Sequence, residues 1–136
     1  MNKGFTLVEV LVAVVILSIG ILAVSQMTVM GLRTTSVINQ RLYARTTMAR
    51  MFEDLNARPA ADSFLRNWDG DNADLDSVSA PDFSQTISDS LAKISYDVVW
   101  NVADNTPENG LKTVRIYVLW GPGSKYNVHT DIIKRI

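Results

Sequence analysis

Residues 10–32 are 23 consecutive positions without a charge, dominated by Val, Leu and Ile. At about 1.5 Å of rise per residue, a helix of that length covers a hydrocarbon core of roughly 30 Å, so the run reads as a membrane-spanning helix. A cleaved secretory signal would end its apolar region with small residues at a cut site. Here the segment continues through Met27, Val29, Met30 and Leu32 into an arginine-containing helical pattern, so the apolar part is expected to stay in the mature chain. Glu9 stands at the near edge of this run. A carboxylate inside a membrane segment costs about 3 kcal/mol on insertion scales. It either reaches water from the helix end, or is protonated, or serves a function that supplies a partner.

The 136 residues allow one anchor and one small soluble head, with no room for a second domain. There is no cysteine, so neither a disulfide framework nor a thiolate metal site is expected. Charge is unevenly shared. Residues 1–58 carry six basic against three acidic side chains, a surplus of +3, and residues 59–136 carry seven against eleven, a deficit of −4. No basic patch with interleaved aromatics argues for nucleic-acid binding.

Beyond Leu32 the helical pattern persists. Val37, Ala44, Met48, Met51 and Leu55 recur at helical steps, joined by Ile38, Leu42 and Phe52, with Arg33, Arg41, Arg45 and Arg50 flanking the stripe. Pro59 is the expected stop, since proline disfavours helix at the preceding residue and lacks an amide donor. A helix from Phe5 to Ala57 would be about 80 Å long, a span continued as the spine of a head. Residues 59–91 read as a long loop, acidic and turn-rich over 67–76, with a short helix over 83–91.

The acidic stretch invites a calcium reading. An EF-hand loop starting at Asp69 would need an oxygen ligand at its fifth position and Gly at its sixth, where Ala73 and Asp74 stand, so a solvated loop is expected instead. Ile94, Tyr96, Val98, Trp100 and Val102 alternate as a strand. Seven residues, 104–110, turn the chain into a second strand, 111–120, whose Val114, Ile116, Val118 and Trp120 share a face. After Gly121-Pro122-Gly123, Tyr126, Val128, Thr130 and Ile132 form a weaker alternation. The fold class is therefore α+β: a long N-terminal helix against a small antiparallel sheet of three or four strands. His129 and Asp131 lie two apart on a strand with Ser124 nearby, but no nucleophile elbow, metal triad or phosphate loop accompanies them. Neither an enzyme nor a cofactor, metal or small-molecule ligand is implied.

Gly4-Phe5-Thr6-Leu7-Val8-Glu9-Val10-Leu11 resembles the class III signal of type IV prepilins: a short basic leader ending in Gly, then Phe, then Glu at the fifth position of the mature chain. The resemblance implies cleavage after Gly4 by prepilin peptidase, N-methylation of Phe5, and a role for Glu9 in subunit assembly by pairing with a neighbouring subunit's terminal amine. A buried charge is tolerable when an opposite charge arrives with it. The helix-and-sheet arrangement resembles the pilin fold. Residues 11–23, Gly31-Leu32-Arg33, residues 44–52 and residues 114–120 resemble minor pilins of the PilV type. Many major pilins carry proline where Gln26 stands here, and many pilins carry a C-terminal disulfide.

The resemblance thus implies a leader of residues 1–4, a transmembrane and polymerisation segment of 5–32, an amphipathic segment of 33–58 and a head of 59–136. It implies a minor pilin that helps initiate a type IV pilus near its tip, with prepilin peptidase, other minor pilins, the major pilin and the bacterial inner membrane as partners. A minor pseudopilin of a type II secretion system shares the same leader, Glu9 and long helix. Four arginines between residues 33 and 50 favour a cytoplasmic head by the positive-inside rule. The prepilin resemblance implies a periplasmic one, and that orientation is the expectation.

Overall fold

A computed structural model describes residues 6–89 and 94–136. One helix, α1 (Leu7–Ala57), is followed by a 3-10 turn (Ser63–Leu65) and strands β1 (Phe83–Asp89), β2 (Ile94–Asp104), β3 (Leu111–Trp120) and β4 (Tyr126–Arg135). A second 3-10 turn, Pro122–Ser124, joins β3 to β4. The chain forms two compact units, residues 1–39 and 40–136.

In the first unit, every residue from 6 to 39 is exposed. An apolar surface this large has no reason to face water and marks a lipid or protein contact. The hydroxyls of Ser18, Ser25 and Thr28 donate to the carbonyls four residues back, at 2.7, 2.8 and 3.0 Å, so they bring no unsatisfied donor into apolar surroundings. Among the described residues, α1 is the one helix long and apolar enough to cross a membrane, by length and composition.

In the second unit, α1 buries Ala44, Met48, Met51 and Leu55 at steps of four, three and four. They join one cluster with Tyr96, Val98, Trp100 and Val102 of β2, Val114, Ile116, Val118 and Trp120 of β3, and Ile132 of β4. Each large apolar side chain so buried contributes about 1.5–3 kcal/mol. The stripe is shorter than its sequence pattern. Val37 stays 38% exposed, Ile38 58% and Leu42 61%. The Tyr96 hydroxyl donates to the Gln40 carbonyl at 3.2 Å, about one turn beyond Val37.

The helix ends at Ala57, two residues before Pro59. No basic residue of its own last turn meets the carbonyls left unpaired there. Lys134 of β4 does, donating to the carbonyls of Asn56 and Arg58 at 2.7 and 2.5 Å. Lys112, 6% exposed, fastens the following loop by donating to the carbonyls of Leu65 and Ala60 at 2.6 and 3.3 Å. Its ammonium also stands 3.1 Å from Asp104, at an angle that makes an ion pair without a hydrogen bond.

The four strands form one antiparallel sheet in the order β1-β2-β3-β4. Residues 83–89, expected as part of a short helix, are a strand; residues 90 and 91 of that expectation lie outside the described residues. Phe83 and Ile87, both against the core, are four apart, a spacing that suits one face of a helix and equally one face of a strand. Pairing with residues 94–100 of β2 selects the strand. The β2–β3 connection is six residues, 105–110, because Asp104 still pairs with Lys112.

The loop of residues 66–82 is fastened to the sheet rather than merely solvated. Asn101, fully buried on the sheet face away from α1, donates to the carbonyls of Ser77 and Asp74 at 2.6 and 2.8 Å and accepts from the Asp82 amide at 2.9 Å. Asp82 accepts from the amides of Trp68 and Val102, and Asn72 from that of Asp104.

This fastening buries both carboxyl oxygens of Asp74, which accept no hydrogen bond from an N–H or hydroxyl donor. Burial, and then Asp69, Asp82 and Asp71, raise its pKa above the ordinary carboxyl value. A carboxyl whose folded pKa lies above its unfolded one weighs against folding as pH rises past the unfolded value, and does so in full above the folded one. Asp74→Asn should therefore stabilise the head at pH 7 by up to about 1 kcal/mol, with the gain vanishing near pH 4. Thermal unfolding followed by near-UV circular dichroism at the two pH values checks this.

Candidate functional site

The N-terminus of α1 is built by Thr6-Leu7-Val8-Glu9. A helix start leaves amides without partners, and Ser or Thr followed three residues later by Glu satisfies them reciprocally. That is the geometry here. The Glu9 amide meets the Thr6 hydroxyl at 3.3 Å, and Glu9 Oε2 accepts from the Thr6 amide and from the Thr6 hydroxyl, both at 3.3 Å. The Thr6 carbonyl takes the amides of Glu9 and Val10 at 3.1 and 3.3 Å. The negative charge also stands where the positive end of the helix dipole favours it.

Glu9 is exposed, and among the described residues its Oε1 accepts no hydrogen bond. The arrangement holds one carboxylate oxygen against the helix start and leaves the other for an incoming donor. Gly4 and Phe5, expected as the cleavage and methylation positions, lie outside the described residues. The prepilin resemblance singles out Glu9 and not Thr6, although the Thr-x-x-Glu spacing ahead of an apolar run is a helix-start signature.

His129 and Asp131 do share a sheet face, opposite Tyr117 and Arg115 of β3. They do not form a catalytic pair. The Arg115 guanidinium holds both oxygens of Asp131 at 2.7 Å and also bonds Asp76, so each of these carboxyls sits below its ordinary pKa. The His129 ring lies against Tyr117 at 5.3 Å. The Tyr117 hydroxyl donates to Asp76 at 3.0 Å, and burial, then that contact, push its pKa up. This cluster fastens the loop and the last strand. Within the acidic stretch, Asp69 and Asp71 accept the amides of Asp71 and Ala73, and no group of three or more His, Asp or Glu side chains among the described residues could hold a metal ion.

A long helix with an apolar first half and a four-stranded antiparallel sheet on its second is an α+β, pilin-like arrangement. The first 25 residues match the family model described as the prokaryotic N-terminal methylation motif, which places a type IV pilin-like prepilin signal at the start of this chain. That motif indicates a pilin-like or pseudopilin protein without distinguishing the two, and with the apolar helix it fits membrane anchoring. Comparison with curated proteins and with solved structures gives no match.

Replacing a Thr at a helix start by Ala costs about 1 kcal/mol. Thr6→Ala in the full chain in micelles should accelerate hydrogen exchange at the Glu9 and Val10 amides about fivefold, while Thr6→Ser keeps the rates near the original.

Proposed function

We propose that this chain is a minor, non-enzymatic subunit of a type IV pilus, of the PilV type, that helps initiate assembly and is incorporated near the tip. The observation that carries the reading is Glu9, a carboxylate with one oxygen uncommitted at the head of a helix exposed from residue 6 to residue 39. Within the matched methylation motif, Glu9 stands four residues beyond Phe5. Cleavage after Gly4 would create a terminal amine on Phe5. An amine from a neighbouring subunit would neutralise Glu9, making burial of both charges in a helical bundle tolerable. The inner membrane holds the subunit beforehand, with the head in the periplasm and prepilin peptidase acting at the cytoplasmic face. The same motif and helix suit a minor pseudopilin of a type II secretion system. Co-fractionation with sheared pili, as against secretion-dependent pseudopili, separates the two readings.

The test follows processing and recruitment together. In cells with an active prepilin peptidase, the intact mass should correspond to a chain beginning at N-methyl-Phe5, and Gly4 replaced by a bulkier residue should leave the precursor uncut. Glu9→Gln keeps the shape and removes the charge; it should leave cleavage intact and reduce the amount in sheared pili at least tenfold. Retention of Met1 in the membrane form would overturn the processing step. Recovery of processed Glu9→Gln at the unmodified level would overturn the assembly role. A reporter after Ile136 that is active in the cytoplasm would overturn the orientation.

A further inference from the structure

Within the second unit, a groove of about 390 Å³ runs between α1 and β4. Arg41, Arg45, Lys125 and Asn127 line it, with Trp120, Tyr126 and Val128 making up the rest of its wall. Its volume falls in the range of roughly 300–1,000 Å³ typical of small-molecule sites. No Asp or Glu lines it, in a region whose residues 59–136 are acidic by four charges.

The three cations lack carboxylate partners among the described residues. Arg58, Lys112 and Arg115 are ion-paired, and Lys134 is taken up by helix carbonyls. Arg41 and Arg45 are one helical turn apart, where like charges destabilise a helix by about 0.2–0.5 kcal/mol, and among the described residues no carboxylate bridges them. Lys125 follows a tight turn. Gly121 has φ +86°, and a Cβ there would stand 3.0 Å from the Tyr126 ring. That ring stacks on Trp120 at 5.8 Å, and the Lys125 ammonium sits 5.7 Å from its centre.

We propose that this groove is an anion site for a phosphate group, carried by a phosphorylated small molecule or by a lipid headgroup. A phosphomonoester brings a charge of about −1.5 to −2 at pH 7 and three strong acceptor oxygens on one atom. Two guanidinium forks and an ammonium match that compact charge better than they match a single carboxylate, and Asn127 adds a neutral donor. The sequence carries no motif for the site because its parts are distant: 80 positions separate Arg45 from Lys125. The expectation of no small-molecule ligand rested on that missing motif. The proposal does not rest on Glu9 and holds whether or not the chain enters a pilus.

The test uses the full chain in nonionic detergent, reading the indole N–H signal of Trp120 by NMR, assigned through its loss in Trp120→Phe. Inorganic phosphate should shift this signal saturably at constant ionic strength, and chloride should not. In nanodiscs, phosphatidic acid, whose headgroup is a phosphomonoester, should shift it relative to phosphatidylcholine if the phosphate comes from lipid; a response to free phosphate alone assigns a soluble ligand. Arg41→Gln with Arg45→Gln should weaken binding at least tenfold while the Trp68 and Trp100 signals stay in place, and Lys125→Gln provides a second variant off the helix. A Trp120 signal unmoved by both phosphate and phosphatidic acid overturns the proposal, as does an equal response to chloride. Polyglutamate binding as tightly as phosphate, with the same arginine dependence, overturns it in favour of an acidic protein segment.

Discussion

The structure depends on four side chains of α1. Ala44, Met48, Met51 and Leu55 are the helix residues buried in the core, and the head closes over them. An isolated two-stranded hairpin is marginal in water, and a small sheet needs a partner face to bury its apolar side. The second half of α1 is that partner here, so a helix that begins as an exposed apolar rod ends as the floor of a soluble core. With no cysteine in the chain, packing and polar fastening hold the head together. Asn101 and Lys112, both buried, are the centres of that fastening.

Period and composition made most of this fold legible. The long helix and the alternation along β2 and β3 follow from apolar spacing, because burial on one face imposes the spacing, and the helix stop follows from the backbone chemistry of Pro59. Two features resisted. In residues 83–89 the apolar positions four apart satisfy both periods, and only pairing with β2 decides between them. The stripe on α1 was read as starting at Val37, since periodicity records which side of a helix is apolar and not where the covering sheet ends.

The candidate site divides in the same way. The resemblance that singles out Gly4, Phe5 and Glu9 rests on local spacing, and the methylation motif found over residues 1–25 rests on the same local signal. The fastening of the acidic loop could not be read that way. It joins Asp74, Ser77 and Asp82 to Asn101 across 19 to 27 positions, and a lone Asn in a strand carries no advance sign of such partners. The cationic groove has the same character, assembled by the sheet from residues far apart along the chain.

Lys134 sets an order on how this protein comes into being. The carbonyls it covers belong to Asn56 and Arg58, yet it lies 78 and 76 positions further along the chain. A ribosome makes the helix long before it makes its cap. Until β4 has emerged, the helix terminus has only water for those carbonyls, and the sheet lacks an edge. The sheet is therefore completed only once β4 has been made, and a chain released before that strand would leave the end of α1 uncovered.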